Sequence, residues 1–479
     1  MAGFKSERRP ASSRNRWPAS DWNAWPVSSE SAAAIPILGW LNELHAQTVV
    51  RTRPSVYTSA ATSHITSLRT AVAAMKALPS TNRRNWIRIA DIHRNSCQHR
   101  QWWFPFWHRL YLLHFEAIVR QQSGNSGFVL PYWDYAPAAN RAMPPAFRQP
   151  AATSNSLWTS SRAASINGGG ALPASAVSAT TAMNTLPYLS NGSVVGFGGP
   201  RVASATLRGP GQGALERQPH GPVHTAIGGA DGLMSNVPIA AQDPIFWLHH
   251  CNIDRLIEDW YRRANGRDYP TDDEAWMDQA FTFTDLLGRQ VTGRVRDVLY
   301  TPDLGYRYPG ITPRQPPASA AVAARAVAPT TPREAPTVQR GSIQGRTLHA
   351  RREEFVVPLA LVGDLSAGGV TLQFDNVAFL PAGRGVYFEV YVNVPQGTAP
   401  NPDSANFVGT MSAFGNTEEA GGAEHQGHGA HAMAAHMFDV TQAISSTTRE
   451  ATITLVPVST EPLPRRAIAR IGSISILQH

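Results

Sequence analysis

The chain has 479 residues, a formal net charge of +8, 16% charged residues and two cysteines. That length allows a large core and more than one domain. Two cysteines exclude a disulfide framework, and the lack of any apolar run near eighteen residues excludes a membrane-spanning helix. The basic balance comes without a dense Lys/Arg face or a nucleic-acid motif, so neither nucleic acid nor a membrane is expected as a partner. A homo-oligomer stays open.

Residues 1–35 read as a basic extension rich in Arg, Ser, Ala and Trp, without the apolar run of a signal peptide. The compartment is left open, leaning to the cytoplasm. From Ile37 to about Leu78 the pattern turns helical, first ILGWLNELH, then HITSLRTAVAAMKAL, with Pro36 suited to a helix start. His45 and His64 read as helix-face or surface histidines.

The stretch from His93 to Glu116, HRNSCQHRQWWFPFWHRLYLLHFE, then places His93, His99 and His108 beside five aromatics and Cys97. Buried imidazoles in an apolar setting cost free energy unless each ring is satisfied, and one bound metal would satisfy all three. Leu112, Phe115, Ile118 and Val119 recur at helical spacing. His108 therefore belongs in the first turn of a helix, His99 on the loop leading into it, and His93 just before that loop. His114 falls on another helix face and reads as structural.

Residues 121–219 read as loop-rich, the kind of segment that shapes a binding site or covers a core. His220-Gly-Pro-Val-His224 is an i, i+4 pair that a helix would project from one face. DPIFWLHHCNIDRL follows, with His249 and His250 ahead of a helical run. Two histidine sets without thiolate pairs or carboxylate clusters suggest two metals held by neutral nitrogen donors: copper, zinc, iron or nickel. Spacing alone does not choose among them. A Pro/Ala/Arg-rich stretch over 312–341 reads as an extended linker. Beyond it FVVPLALVGDL, GVTLQFDNVAFL, GVYFEVYVNV and ATITLVPV alternate as short strands of a β-sandwich or barrel. Within that region His425, His428, His431 and His436 sit in a Gly/Ala context, read as a flexible surface loop, with metal binding as the alternative.

The pieces CQH, FPFWHR and DPIFWLHHCNID resemble the signatures of type-3 copper proteins, the tyrosinases, catechol oxidases and molluscan haemocyanins. The resemblance implies His93, His99 and His108 on one copper and His220, His224 and His250 on the other, with His249 left as a neighbour. It further implies a thioether joining Cys97 to His99 and a water-holding catalytic role for Glu216. Val237 and Gly221 fall at substrate-access positions. Gly221 stands where an Asn or Asp is associated with hydroxylation of monophenols. Asp254, one turn after His250, could accept a hydrogen bond and fix the ligand helix. Cys251 reads as a core thiol. The YRY at 306–308 resembles the tyrosine motif that closes the catalytic domain of plant relatives, and YFEVYVN resembles their covering C-terminal domain.

The expected fold is thus a mainly α catalytic domain, a four-helix bundle holding a dicopper centre, followed by a β-sandwich. The expected divisions are 1–35 extension, 36–311 catalytic domain, 312–341 linker and 342–479 lid. The implied activity is dioxygen-dependent oxidation of small phenols to o-quinones, with monophenol hydroxylation in a tyrosinase and a lid that restricts access. A catechol oxidase, an o-aminophenol oxidase and a haemocyanin-like oxygen carrier share the ligand set. A zinc hydrolase would want an open position and commonly a carboxylate, and it leaves the DPxF motif unexplained.

Overall fold

The structure, a computed structural model, describes residues 49–192, 194–316, 337–361, 369–415, 434–445 and 447–479. Five helices position the histidines or frame them. Helix α1 (Thr62–Ala77) buries Ile65, Leu68, Ala71, Val72 and Met75, one stripe at three- and four-residue spacing. Helix α2 (Trp86–Ser96) starts where the Asn85 side chain accepts from the Ile87 amide, an N-cap that stands in for the missing helical partner. Helix α3 (Phe104–Ser123) carries Pro105 in its first turn and ends at Gly124 in the left-handed conformation (φ 69°). Nearly every residue from Phe104 to Glu116 is buried, so this helix runs through the core instead of along its surface. Helix α4 (Gly221–Gly228) is short and wholly buried, and helix α5 (Ile245–Arg262) buries His249, His250 and Asp254.

The helical reading over 37–78 is corrected in part. Residues 37–48 lie outside the described residues. From 49 to 58 the chain is not helical: Arg51–Thr52 pairs in parallel with Tyr306–Arg307. Pro54 explains the change, since it lacks an amide donor and pushes its predecessor out of the helical region. The core is helical as expected, but its four longest described helices are not the four that hold the site. Helix α1 supplies no clustered histidine, and the short α4 does.

A buried ionic network ties these helices together. Arg109 on α3 donates to Asp254 and Glu258 on α5, each at 2.6 Å. Arg53 bridges Glu116 on α3 (3.0 Å) to Asp254 (3.2 Å), and the Tyr306 and Tyr308 hydroxyls donate to Asp254 at 2.8 and 2.6 Å. The Arg53 guanidinium also lies 3.6 Å over the Tyr306 ring. Buried charges persist only when paired in this way.

The C-terminal domain has eight described strands: β1 (Val338–His349), β2 (Glu353–Pro358), β3 (Val370–Phe379), β4 (Tyr387–Val392), β5 (Phe407–Ser412), β6 (Ala434–Asp439), β7 (Glu450–Val458) and β8 (Ala467–Gln478). They form two antiparallel sheets of order β5-β4-β7-β2 and β6-β3-β8-β1. One apolar cluster joins Phe355, Phe388 and Ile453 of the first sheet to Leu372, Phe374 and Ile474 of the second. The strand β1 starts at Val338, inside the stretch read as linker. Arg340 there donates to Gln478 at 2.8 Å.

Candidate metal centre

The histidines reach one another because their elements end or cross at the same point. His93 sits in the last turn of α2, His99 on the connection to α3, and His108 four residues into α3 from Phe104. His220 closes a short irregular helical segment, Glu216–His220, that runs straight into α4 with His224 one turn on. His249 and His250 lie in the first turns of α5.

One ring nitrogen or more from each of His93, His99 and His108 falls within 4.8 Å of the others, and the same holds for His220, His224, His249 and His250. The two sets adjoin. The His108 and His250 rings stack 4.3 Å apart at 11°, and His99 meets His220 edge-on at 5.5 Å.

The donor chemistry fits metal ions. The Phe104 and Met234 carbonyls accept from Nδ1 of His108 and His224, each at 2.8 Å, which leaves Nε2 as the inward lone pair. Nε2 of His224 faces Nε2 of His250 at 3.2 Å, and Nε2 of His99 faces that of His108 at 3.5 Å. Both ring nitrogens of His220 lack a hydrogen-bond partner in the protein. Burial depresses every one of these imidazoles, and neighbouring imidazoles add to it at His99, His108, His220, His224 and His250. Burial takes both His249 and His93 down to about 3. The rings are therefore neutral, the state a metal ligand needs.

His249, read from sequence as a neighbour, lies inside the second set. Its Nδ1 is 3.3 Å from the Tyr135 hydroxyl. Asp254 touches no clustered imidazole through any hydrogen bond in the structure; it ties α5 to α3 and Arg53 instead. Glu216 is fully enclosed, and one of its oxygens accepts from the Arg100 amide at 2.7 Å. Burial raises its carboxyl to about 8 against the pull of that amide and of Arg100 and Arg217. Cys97 caps α2 and Cys251 lies in α5, both buried, with thiols that burial raises to about 12. His64 accepts from the Val129 amide, and His114 stacks on Phe283 (5.1 Å), both away from the two sets.

Sequence reasoning missed what covers the centre. Phe414, two residues beyond β5, stacks on His224 at 4.0 Å and 15°, and packs against His220 (5.3 Å) and His99 (5.9 Å). His436, read as part of a surface loop, is buried in β6. The charges bearing on it are Arg217 and Arg100 of the catalytic domain. The other three histidines of that tract lie outside the described residues.

Residues 55–187 and 176–263 match the family model "Common central domain of tyrosinase", and 270–315 match the "Polyphenol oxidase middle domain". The chain belongs to the tyrosinase and polyphenol oxidase family. That family is one of copper oxidoreductases. Residues 358–479 match a "Domain of unknown function (DUF7868)". Among tyrosinase-family relatives, a tyrosinase of Hahella sp. is 39% identical over 251 residues, 49% of this chain and 51% of its own. The chloroplastic polyphenol oxidase of Malus domestica is 27% identical over 408 residues, 71% of this chain and 65% of its own. The chain thus spans about half to two thirds of these two relatives. Latent apple tyrosinase shares the fold with a TM-score of 0.64 at 23% identity, over 90% of this chain and 98% of that one. The C-terminal sheets are therefore part of the shared architecture. Among the described residues no helix is long and apolar enough to cross a membrane.

Proposed function

We propose that the chain is a dicopper phenol oxidase, with dioxygen as co-substrate, that converts small phenols to o-quinones and is held latent by its C-terminal domain. The carrying observation is the meeting of two neutral, buried histidine sets across the stacked His108–His250 pair. His93, His99 and His108 would hold one copper, and His220, His224 and His250 the other, with His249 behind them. When bound, the copper pair supplies the redox chemistry and the affinity for dioxygen.

The chain's own groups supply the rest. The Phe104 and Met234 carbonyls fix two imidazoles so that Nε2 faces inward. The aromatic walls, Phe104 and Phe246 among them, exclude water from the histidines. Glu216 takes the phenol's proton: closed, its carboxyl holds a proton up to about pH 8, and hydration on opening lowers it toward a working base. Gly221 offers no side chain beside it, so diphenol oxidation runs faster than monophenol hydroxylation, and the chain lies nearer a catechol oxidase than a strong tyrosinase.

Phe414 lies on His224 where a substrate ring would approach. The test is copper-loaded protein assayed on a monophenol, a catechol and an o-aminophenol, before and after proteolysis at Arg325 or Arg333. Cleavage with release of the C-terminal domain raises the catechol rate, and most for bulky catechols. No turnover by released, two-copper protein would point to an oxygen carrier, and equal rates before and after release would remove the latency.

A further inference from the structure

Helix α4 carries His224, and the C-terminal domain grips it at both ends. At the start, a Cβ on Gly221 would come 2.6 Å from the Ser412 hydroxyl. In the middle, the Thr460 hydroxyl donates to the Ala226 carbonyl at 2.6 Å. Just past the end, the Ala230 amide donates to Glu461 at 3.1 Å. There the fit is tightest. A Cβ on Gly385 of the C-terminal domain would come 2.6 Å from the Ala230 nitrogen and 2.6 Å from the Gly229 carbonyl carbon. The three atoms nearest that Cβ all belong to the catalytic domain and all are backbone, so no rotamer change relieves the overlap. At Gly385 a side chain is excluded by the other domain's backbone, at Gly221 the Ser412 hydroxyl alone stands in the way, and neither glycine has the positive φ that would demand glycine for its own backbone.

We propose that the C-terminal domain docks by a two-point steric fit. A notch at Gly221 takes the Ser412 hydroxyl, and a notch at Gly385 takes the Gly229–Ala230 backbone. One methyl group at Gly385, or at Gly221 where the Ser412 hydroxyl is held in place, then uncovers the centre without cutting the chain. The two notches stand at opposite ends of an eight-residue helix, about 12 Å apart at 1.5 Å per residue. A wedge at one end therefore tilts the domain off the other. Because Phe414 is two residues beyond Ser412, it cannot keep its stacking on His224 when that strand is lifted. This docking inference rests on the latency proposed above only for its effect on turnover; the fit itself is independent of it.

The experiment uses the full, copper-loaded chain and the variants Gly221→Ala, Gly385→Ala, Gly221→Ala/Ser412→Ala and Gly385→Ala/Ser412→Ala, with hydrogen exchange and catechol turnover measured together. Overpacking of this kind shifts a closed-to-open ratio by roughly 5- to 100-fold. Exchange should rise by that factor in α4 and β5, while α3 and the interior of the β-sandwich keep wild-type protection, which also certifies that each variant is folded. Removing the Ser412 hydroxyl should restore protection to Gly221→Ala, since the Ser412 Cβ would be 3.6 Å from the new methyl, an ordinary contact. Ser412→Ala should not restore it to Gly385→Ala. Wild-type exchange in folded Gly385→Ala, or no rescue of Gly221→Ala by Ser412→Ala, would overturn the fit. Raised exchange in Gly385→Ala with unchanged catechol turnover would leave the fit standing and overturn the latency instead. Gly385 carries that distinction because it lies outside the copper site.

Discussion

Replacing Phe414 by alanine separates blocking from mere proximity. The ring is 1% exposed and lies parallel to His224 at 4.0 Å, with His220 and His99 on its flanks. A phenylalanine buries roughly 200 Å², which at about 25 cal/mol per Å² is about 5 kcal/mol. Measured truncations of buried Phe cost about 3–5 kcal/mol. In the opened domain the ring is hydrated, so its truncation costs little there and most of this difference falls on docking. Taking about 3 kcal/mol, the open fraction rises by about two orders of magnitude. The assay is the catechol rate of the uncut, copper-loaded variant, set against wild type cut at the linker. Uncut Phe414→Ala should approach the cut wild-type rate, Phe414→Leu should fall between, and after cutting all three should coincide. A folded, fully loaded Phe414→Ala that stays as slow as uncut wild type until cleavage would refute the reasoning, because something other than this ring would then be closing the centre.

Three further outcomes are expected. If Cys97 is joined to His99, it resists alkylation in denatured holoprotein while Cys251 reacts; a peptide map with Cys97 freely modified in active protein would remove the thioether. Gly221→Asn, assayed after the C-terminal domain has been released so that Ser412 no longer interferes, should raise the monophenol-to-diphenol ratio, within the roughly 10²–10⁴-fold that general-base assistance provides; a flat ratio at full copper content would place proton removal elsewhere. Asp254→Asn leaves Arg53 and Arg109 without their shared carboxylate and should cost about 3–5 kcal/mol of stability in a denaturant titration, with two coppers per chain retained in the folded fraction; loss of copper at unchanged stability would make Asp254 a ligand-orienting group after all.

The histidine sets were legible because their signal is local. His220 and His224 share a helix face, and His108 follows the Pro105 helix start at a spacing any reader can count. The alternating strands β2, β3, β4 and β7 were legible for the same reason. Strand β1 was not: its residues from Val338 to Thr347 are mostly exposed, so no apolar alternation marks them off from the linker before it. Phe414 and Ser412 carry no local mark either. Their partners stand nearly two hundred residues earlier, and Ser-Ala-Phe-Gly-Asn reads as any strand end. Gly221 was read as a missing catalytic partner, and only the opposing Ser412 hydroxyl shows what the missing side chain makes room for. Asp254 was placed on its helix one turn from His250 as a hydrogen-bond acceptor that fixes that helix, and it accepts from Arg53, Arg109, Tyr306 and Tyr308. Sequence spacing says which residues share a helix face and not what that face meets, so these partners were not legible.

The choice of arginines and tyrosines as the partners of Asp254 has a physical reason. A carboxylate beside an imidazole without a metal would favour the charged ring. The fold instead keeps its two kinds of buried polar group apart. Arg53, Arg109, Glu116, Asp254 and Glu258 neutralise one another within a single network, and the histidines a turn away meet carbonyls, aromatic rings, the Tyr135 hydroxyl and each other. Burial can then hold His93 and His249 down near 3 with no carboxylate to oppose it. The arrangement has a cost: a buried polar atom without a partner forfeits about 1–3 kcal/mol, and both nitrogens of His220 are in that position. The ion network carries the helices through that deficit, and whatever binds the lone pairs returns it as stability in proportion to its concentration over its dissociation constant. The stiff charged frame and the imidazole centre are therefore one design: helices α3 and α5 are locked by Arg109 so that His108 and His250 are held face to face with their Nε2 atoms turned inward.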